Sequence, residues 1–189
     1  MTNERSKRWQ RFLLVALSIV SLSVIAGVAL RRFRTPTPRP MMLELADGTQ
    51  LYYLSDTNIV PNPSYPAVRE IQIDGEAFIR ATDQAPPLVI RTQMLALKIQ
   101  GNAGVRVDAS SQKPGQEADV LYGRVEATKA YPSPHGETDT LLAGEEVLVS
   151  QTVDLQTKAP TDLARLRAWS DALMASVGNK GMPHPTPTR

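Results

Sequence analysis

Between Met42 and Ser150 no periodic pattern lasts: eleven runs of three to five residues with strand character follow one another, separated by residues that turn the backbone. They are Met42–Leu45, Gln50–Leu54, Arg69–Ile73, Ala77–Ala81, Leu88–Thr92, Leu95–Ile99, Val105–Asp108, Ala118–Tyr122, Val125–Thr128, Thr140–Leu142 and Val147–Ser150. Their apolar, β-branched and aromatic residues suit a pleated, half-buried surface. So many short strands exceed what one small open sheet holds. The sequence therefore predicts a compact, mainly β domain closed as a sandwich, a barrel or a short rolled solenoid. Asp47-Gly48 stands between MLEL and TQLYYL and reads as a hairpin turn, because a primed turn needs positive φ. Asp74-Gly75 repeats the signal, and Gly123 and Ala143-Gly144 mark later turns. That recurrence of glycine turns favours the barrel or the solenoid.

Ahead of the strands, Phe12 to Leu30 reads FLLVALSIVSLSVIAGVAL, an uncharged run long enough to cross a hydrocarbon core about 30 Å thick as a helix. It exceeds the apolar region of a cleaved signal peptide, about 7 to 15 residues, so an uncleaved anchor is expected even though Gly27 and Ala29 would suit a cleavage site. Arg5, Lys7, Arg8 and Arg11 precede the run and Arg31, Arg32, Arg34 and Arg39 follow it, so the positive-inside rule assigns no direction. The expected organisation is a short basic cytoplasmic segment at 1–11, a single transmembrane helix at 12–30 and a basic, proline-rich linker at 31–41. A β domain follows at 42–158, then an amphipathic helix at 159–177 and a disordered tail at 178–189. In the linker TPTPRP runs extended. In the C-terminal helix Thr161-Asp162 caps a run that places Leu163, Leu166, Trp169, Ala172 and Leu173 on one face.

The chain offers little conventional site chemistry. It has no cysteine, which removes disulfides, thiolate metal sites and cysteine nucleophiles, and its 21 basic and 19 acidic side chains give a formal charge of only +2, too balanced for a nucleic-acid binder. Asp74 and Glu76 could pair as acid and base, but an Asp-Gly turn explains Asp74 and a fold role is expected for Glu76. Glu145 and Glu146 follow a glycine turn without further oxygen ligands at a suitable spacing and are expected to be solvated. His135 and His184 lie in proline-rich stretches without metal-ligand neighbours. Ser110 and Ser111 lack a nucleophile elbow, and no Walker, GxGxxG or HExxH motif occurs. Tyr52, Tyr53, Tyr65 and Phe78 are candidates for a peptide-binding face, with core packing the default for Tyr52 and Phe78. Trp169 either pins its helix to the sheet or anchors a partner, and packing is the expectation. No catalytic, cofactor-binding or metal-binding residue is assigned, no cofactor is expected, and the protein is not expected to be an enzyme.

Five segments, in order, resemble the FecR domain of membrane-anchored anti-sigma regulators encoded beside extracytoplasmic-function sigma factors. They are LELADGTQLYYLSDTNI at Leu43–Ile59, REIQIDGEAFIRATD at Arg69–Asp83, PLVIRTQMLALKIQG at Pro87–Gly101, ADVLYGRVEA at Ala118–Ala127 and LLAGEEV at Leu141–Val147. DGEAFIRA is the most specific of them, and Trp169 is similar to the tryptophan that often follows this domain in relatives from the Bacteroidetes. The chain departs from the pattern at GNAGV, Gly101–Val105, where the family usually carries an aromatic; Gly104 would leave a void or be filled by a neighbour. The family's cytoplasmic sigma-binding domain is not expected in Met1–Arg11, since a segment so short cannot bury the roughly 800 Å² per partner of a stable complex.

The resemblance implies a single-pass protein of the bacterial inner membrane with its C-terminal β domain in the periplasm. Its expected function is signal transduction: the exported domain binds another envelope protein, such as a TonB-dependent receptor, and is linked to sigma-factor control. The alternative is a non-regulatory envelope binding or structural module of the same fold.

Overall fold

The computed structural model describes residues 37–134, 138–150 and 152–178. The basic segment 1–11, the apolar run 12–30, His135 and His184 lie outside the described residues. Among the described residues no helix is long and apolar enough to cross a membrane. The chain divides into two compact units, Met1–Thr37 and Pro38–Arg189, and every described strand and helix belongs to the second.

Thirteen described strands form two sheets. The first holds β1 (Pro40–Glu44), β2 (Gln50–Leu54), β5 (Glu76–Ala81), β8 (Ala103–Asp108), β9 (Gln116–Tyr122), β12 (Glu145–Ser150) and β13 (Leu155–Pro160), side by side in that order. The second runs β11 (Thr138–Leu142), β10 (Arg124–Lys129), β7 (Leu95–Ile99), β6 (Leu88–Arg91), β4 (Glu70–Asp74) and β3 (Asn58–Pro61). All pairings are antiparallel except that of β4 with β6. Alternate residues of each strand point into one shared core. Leu51, Ile79, Val105, Val120 and Val147 come from the first sheet and meet Ile71, Ile90, Leu97, Val125 and Leu141 of the second, all fully buried. Each such side chain contributes about 1.5–3 kcal/mol by leaving water.

Two sheets face to face make a sandwich, where the glycine turns had favoured a barrel or a solenoid. Asp47-Gly48 is the expected hairpin, joining β1 to β2. Asp74-Gly75 is not a hairpin: β4 lies in the second sheet and β5 in the first, so this turn carries the chain from layer to layer. Gly75 has φ +125°, and a Cβ there would stand 2.8 Å from the Thr57 backbone, closer than a side chain tolerates. Thr57 Oγ1 ties the same corner, donating to the Glu76 carbonyl at 3.0 Å and accepting from its amide at 3.1 Å. Gly123, at φ +92°, returns the chain from β9 to β10 in the second sheet, passing within 2.7 Å of Ala103 Cα measured from where its Cβ would lie. Gly101 and Gly144 stand at two further crossings.

Two strands were not foreseen, and both lie at sheet edges. β3 ends in Pro61 and β13 in Pro160, and β13, LQTKAP, has no apolar face. An edge strand with one side in solvent needs neither full alternation nor every N–H, so proline is tolerated and the local signal fades.

The C-terminal helix α1 (Leu163–Gly178) covers part of the outer face of the first sheet. Asp162 caps it, its Oδ1 accepting from the amides of Ala164 and Arg165 at 3.0 and 3.1 Å. The face turned to the sheet carries Leu166, Trp169, Ser170, Leu173, Met174 and Val177, whereas Leu163 and Ala172, expected on it, are exposed. Beneath α1 lie Tyr52, Phe78 and Leu121, a second apolar cluster separate from the sandwich core.

Candidate functional site

Strand alternation that sends Ile79, Val105, Val120 and Val147 inward sends their neighbours outward, and the register lines these up. Tyr52 opposes Phe78, Phe78 opposes Arg106, Arg106 opposes Asp119, and Asp119 opposes Glu146, giving one row across five strands. The row changes character midway, from aromatic residues under α1 to a charged group beside the start of the helix.

Arg106 is the hub of the charged half. Its Nε and Nη2 donate to Glu76 Oε1 at 2.9 and 2.7 Å, and its Nη1 donates to Glu117 Oε1 at 2.8 Å and to Asp119 Oδ2 at 2.9 Å. Asp108 Oδ2 lies 3.3 Å from Nη2 and also takes Lys113. The guanidinium carbon sits 5.2 Å from the centroid of the Trp169 ring, whose edge meets Phe78 at 6.4 Å and 83°. Thr161, just before α1, donates to the other oxygen of Asp119 at 2.7 Å. A cleft of about 360 Å³ opens between this group and the first turns of α1; Arg106, Glu117, Asp119, Glu146, Arg165 and Trp169 line it.

The electrostatics follow from partial burial. Burial works against the charge on Arg106, but Glu76, and behind it Asp119 and Glu117, hold its pKa above the ordinary value. Burial, and then the charge of Asp119, pushes the carboxyls of Glu117 and Glu146 above the usual glutamate range. The carboxylate oxygens of Glu117, Asp119 and Glu146 lie within 4.8 Å of one another. That spacing would admit a cation, but Arg106 already stands against two of the three, so we assign them no metal. What the arrangement does is hold the start of α1 against the first sheet.

The structure places the residues singled out in the sequence as follows. Glu76 belongs to the charged group as the main partner of Arg106, whereas Asp74 accepts from the Ser111 amide at 2.8 Å in a loop contact. Glu146 is not solvated as expected; it is half-buried against Asp119. Glu145 pairs with Lys158 at 2.8 Å and accepts from the Leu142 amide. Tyr52 and Phe78 are buried beneath α1, Tyr53 and Tyr65 pack against the sandwich core, and Trp169 packs on the sheet. Ser110 shapes a turn through its carbonyl and hydroxyl. Arg106, Glu117 and Asp119 were missed. Their trace in the sequence is a charge at every second position of VRVD and EADV, which only the pairing of β8 with β9 turns into a cluster.

Comparison with protein-family models and with curated proteins finds no match. Among solved structures, a candidate anti-sigma factor from Parabacteroides distasonis is similar in two crystal structures, at 1.65 and 2.50 Å, with TM-scores of 0.61 and 0.60. Sequence identity is 24%, and the likeness covers 70% of this chain and 60% of that one, so the chain spans less than two thirds of the neighbour's length. What the chain shares with that protein is its β fold.

Proposed function

We propose that the protein is a membrane-anchored, FecR-like signal-transduction component whose exported sandwich binds another envelope protein and which acts in anti-sigma control of an extracytoplasmic-function sigma factor. The observation that carries this reading is the fold held in common with a candidate anti-sigma factor. The resembling segments sit coherently on that fold: DGEAFIRA spans the Gly75 crossing into β5, ADVLYGRVEA the Gly123 crossing, and LLAGEEV the Gly144 crossing. Binding, not catalysis, is the reading we favour, because the polar groups of the charged cluster are spent on one another and on α1.

The test is a pull-down of the tagged full-length chain from detergent-solubilised membranes, beside a chain lacking Met1–Arg11. Recovery of an envelope protein together with a sigma factor is the expected result, and loss of the sigma factor on deletion would make Met1–Arg11 one part of a contact that the segment is too short to form alone. Recovery of envelope proteins alone, unchanged by the deletion, would replace regulation with a non-regulatory envelope module.

A further inference from the structure

We propose that the protein pairs with a second copy of itself through the free edge of β1, the two strands running antiparallel about Met42 so that the two first sheets join. The pairing needs neither the membrane anchor nor the envelope partner of the proposed function.

The sheets end in four edge strands, β1, β13, β11 and β3, and among the described residues three of these edges are blocked. β3 ends in Pro61, which has no N–H to give an added strand. β13 ends in Pro160, and its Lys158 and Gln156 reach across to the Thr140 carbonyl and to Asp139 of β11, each at 2.7 Å, so these two edges close on each other. β1 has no such device. It carries no lysine and no inward charge, and its one proline, Pro40, stands at the start. Met41 and Met42 are 43% and 37% exposed, Met41 opposite Tyr53 at the rim of the sandwich core and Met42 opposite Tyr52 beneath α1. An open apolar edge is a template for another strand, and natural sheets block such edges where nothing pairs with them.

The ladder between β1 and β2 fixes which backbone groups are free. Ser55 N–H donates to the Arg39 carbonyl at 2.8 Å and Leu45 N–H to that of Thr49 at 2.9 Å, so Arg39, Met41, Leu43 and Leu45 turn their backbone towards β2. Pro40, Met42 and Glu44, between them, turn theirs outward. This edge is complementary to itself. With Met42 opposite Met42, each Met42 N–H donates to the other copy's Met42 carbonyl, and each Glu44 N–H reaches the other copy's Pro40 carbonyl, the one backbone group that a proline offers. Met41 then lies across from Leu43 of the second copy, which covers the exposed rim of the core. The two Glu44 carboxylates fall about 14 Å apart, each at the end where the second copy's Arg39 lies, so opposite charges meet and like charges stay separate. The contact closes on itself as a twofold pair, and the blocked β13 edge keeps the joined sheet from growing further. Five residues a side is well short of the roughly 20–30 of a standard interface, so the pair is a weak one that trapping reveals best.

The experiment exploits the absence of cysteine from the chain. Full-length chains with a single introduced cysteine are oxidised with copper phenanthroline in detergent micelles and separated on non-reducing gels. In the proposed pairing Met42→Cys meets its own copy at a Cα separation of about 5.5 Å, inside the roughly 4.4–6.8 Å that a disulfide spans. Met41→Cys and Leu43→Cys each lie about 8 Å from their own copy, too far to bridge, but about 4.5 Å from one another. Met42→Cys is therefore expected to form a disulfide dimer alone, and Met41→Cys and Leu43→Cys only when the two are mixed. Val60→Cys and Leu155→Cys, at least as exposed but on the blocked edges, stay monomeric. Adding Glu44→Pro to Met42→Cys removes an outward N–H without touching the ladder to β2, and the dimer is lost. Circular dichroism and the thermal unfolding midpoint check that this variant keeps its sheets. A monomeric Met42→Cys chain, equal crosslinking at Val60→Cys or Leu155→Cys, a mixture no better than its components, or a folded Glu44→Pro variant that still crosslinks overturns the pairing.

Discussion

The Trp169 ring lies over the Arg106 guanidinium at 5.2 Å and meets Phe78 edge-on, so one side chain joins the aromatic and charged halves of the row beneath α1. A cation over an indole is worth about 0.5–2 kcal/mol and an edge-to-face aromatic pair about 0.5–1.5 kcal/mol. Trp169→Ala is therefore expected to weaken helix docking by about 2 kcal/mol while sparing the separate sandwich core. Hydrogen exchange should show faster exchange in 163–178 and unchanged protection in β5–β9. Loss of protection in both regions together would mean that the helix and sandwich form one cooperative unit.

Gly104, where the sequence led us to expect a void or a neighbour's side chain, has its space filled from the next strand. A shift of register between Gly104 and Val105 sets Gly104 opposite Tyr122, whose ring occupies the place of a Gly104 side chain. Gly104→Ala should cost about 1–3 kcal/mol by overpacking, and adding Tyr122→Ala should recover much of that loss. Urea denaturation of the two single variants and the double variant measures the coupling. Simple additivity would contradict the packing described.

The inward pattern was legible: IQI, LALKI and VRV place Ile71, Ile73, Leu95, Leu97, Ile99, Val105 and Val107 in the core just as alternation requires. The layer to which each strand belongs was not. A glycine with positive φ serves a hairpin at Gly48 and a crossing at Gly75 alike, and only pairings distant in sequence separate the two. The candidate site was hidden for the same reason. Arg106, Glu117 and Asp119 look like ordinary outward charges until β8 pairs with β9 and Thr161 arrives from 42 residues further on.

Arg69 and Asp47 form an ion pair at 2.6 Å with side chains only 2% and 4% exposed, and Arg69 also donates to the carbonyls of Thr82 and Pro86. Removing one member strands the other, so Arg69→Met or Asp47→Asn should lower stability by about 3–5 kcal/mol in urea. Burial opposes the Asp47 charge, but the nearby Tyr65 hydroxyl and hydrogen bonds from Thr49 and Arg69 outweigh it and hold the pKa below the ordinary 3.8. Its contribution is thus complete above the ordinary value and lost as pH falls through the depressed one. Acid titration of the unfolding midpoint should show a loss below about pH 4 that is absent in Asp47→Asn.

Gly75→Ala should destabilise by more than about 1 kcal/mol, since it strains a positive φ and drives a methyl group into Thr57. Thermal unfolding measures the loss, and a neutral result would show that the crossing can relax.

The central claim, that this chain governs a sigma factor, is tested most directly by RNA sequencing of a strain lacking the gene, complemented with the full chain or with a chain lacking Met1–Arg11. The account predicts that transcripts from one class of extracytoplasmic-function promoter shift on deletion, and that the full chain, but not the shortened one, restores them. No shift in any promoter class, or equal restoration by both chains, would contradict it.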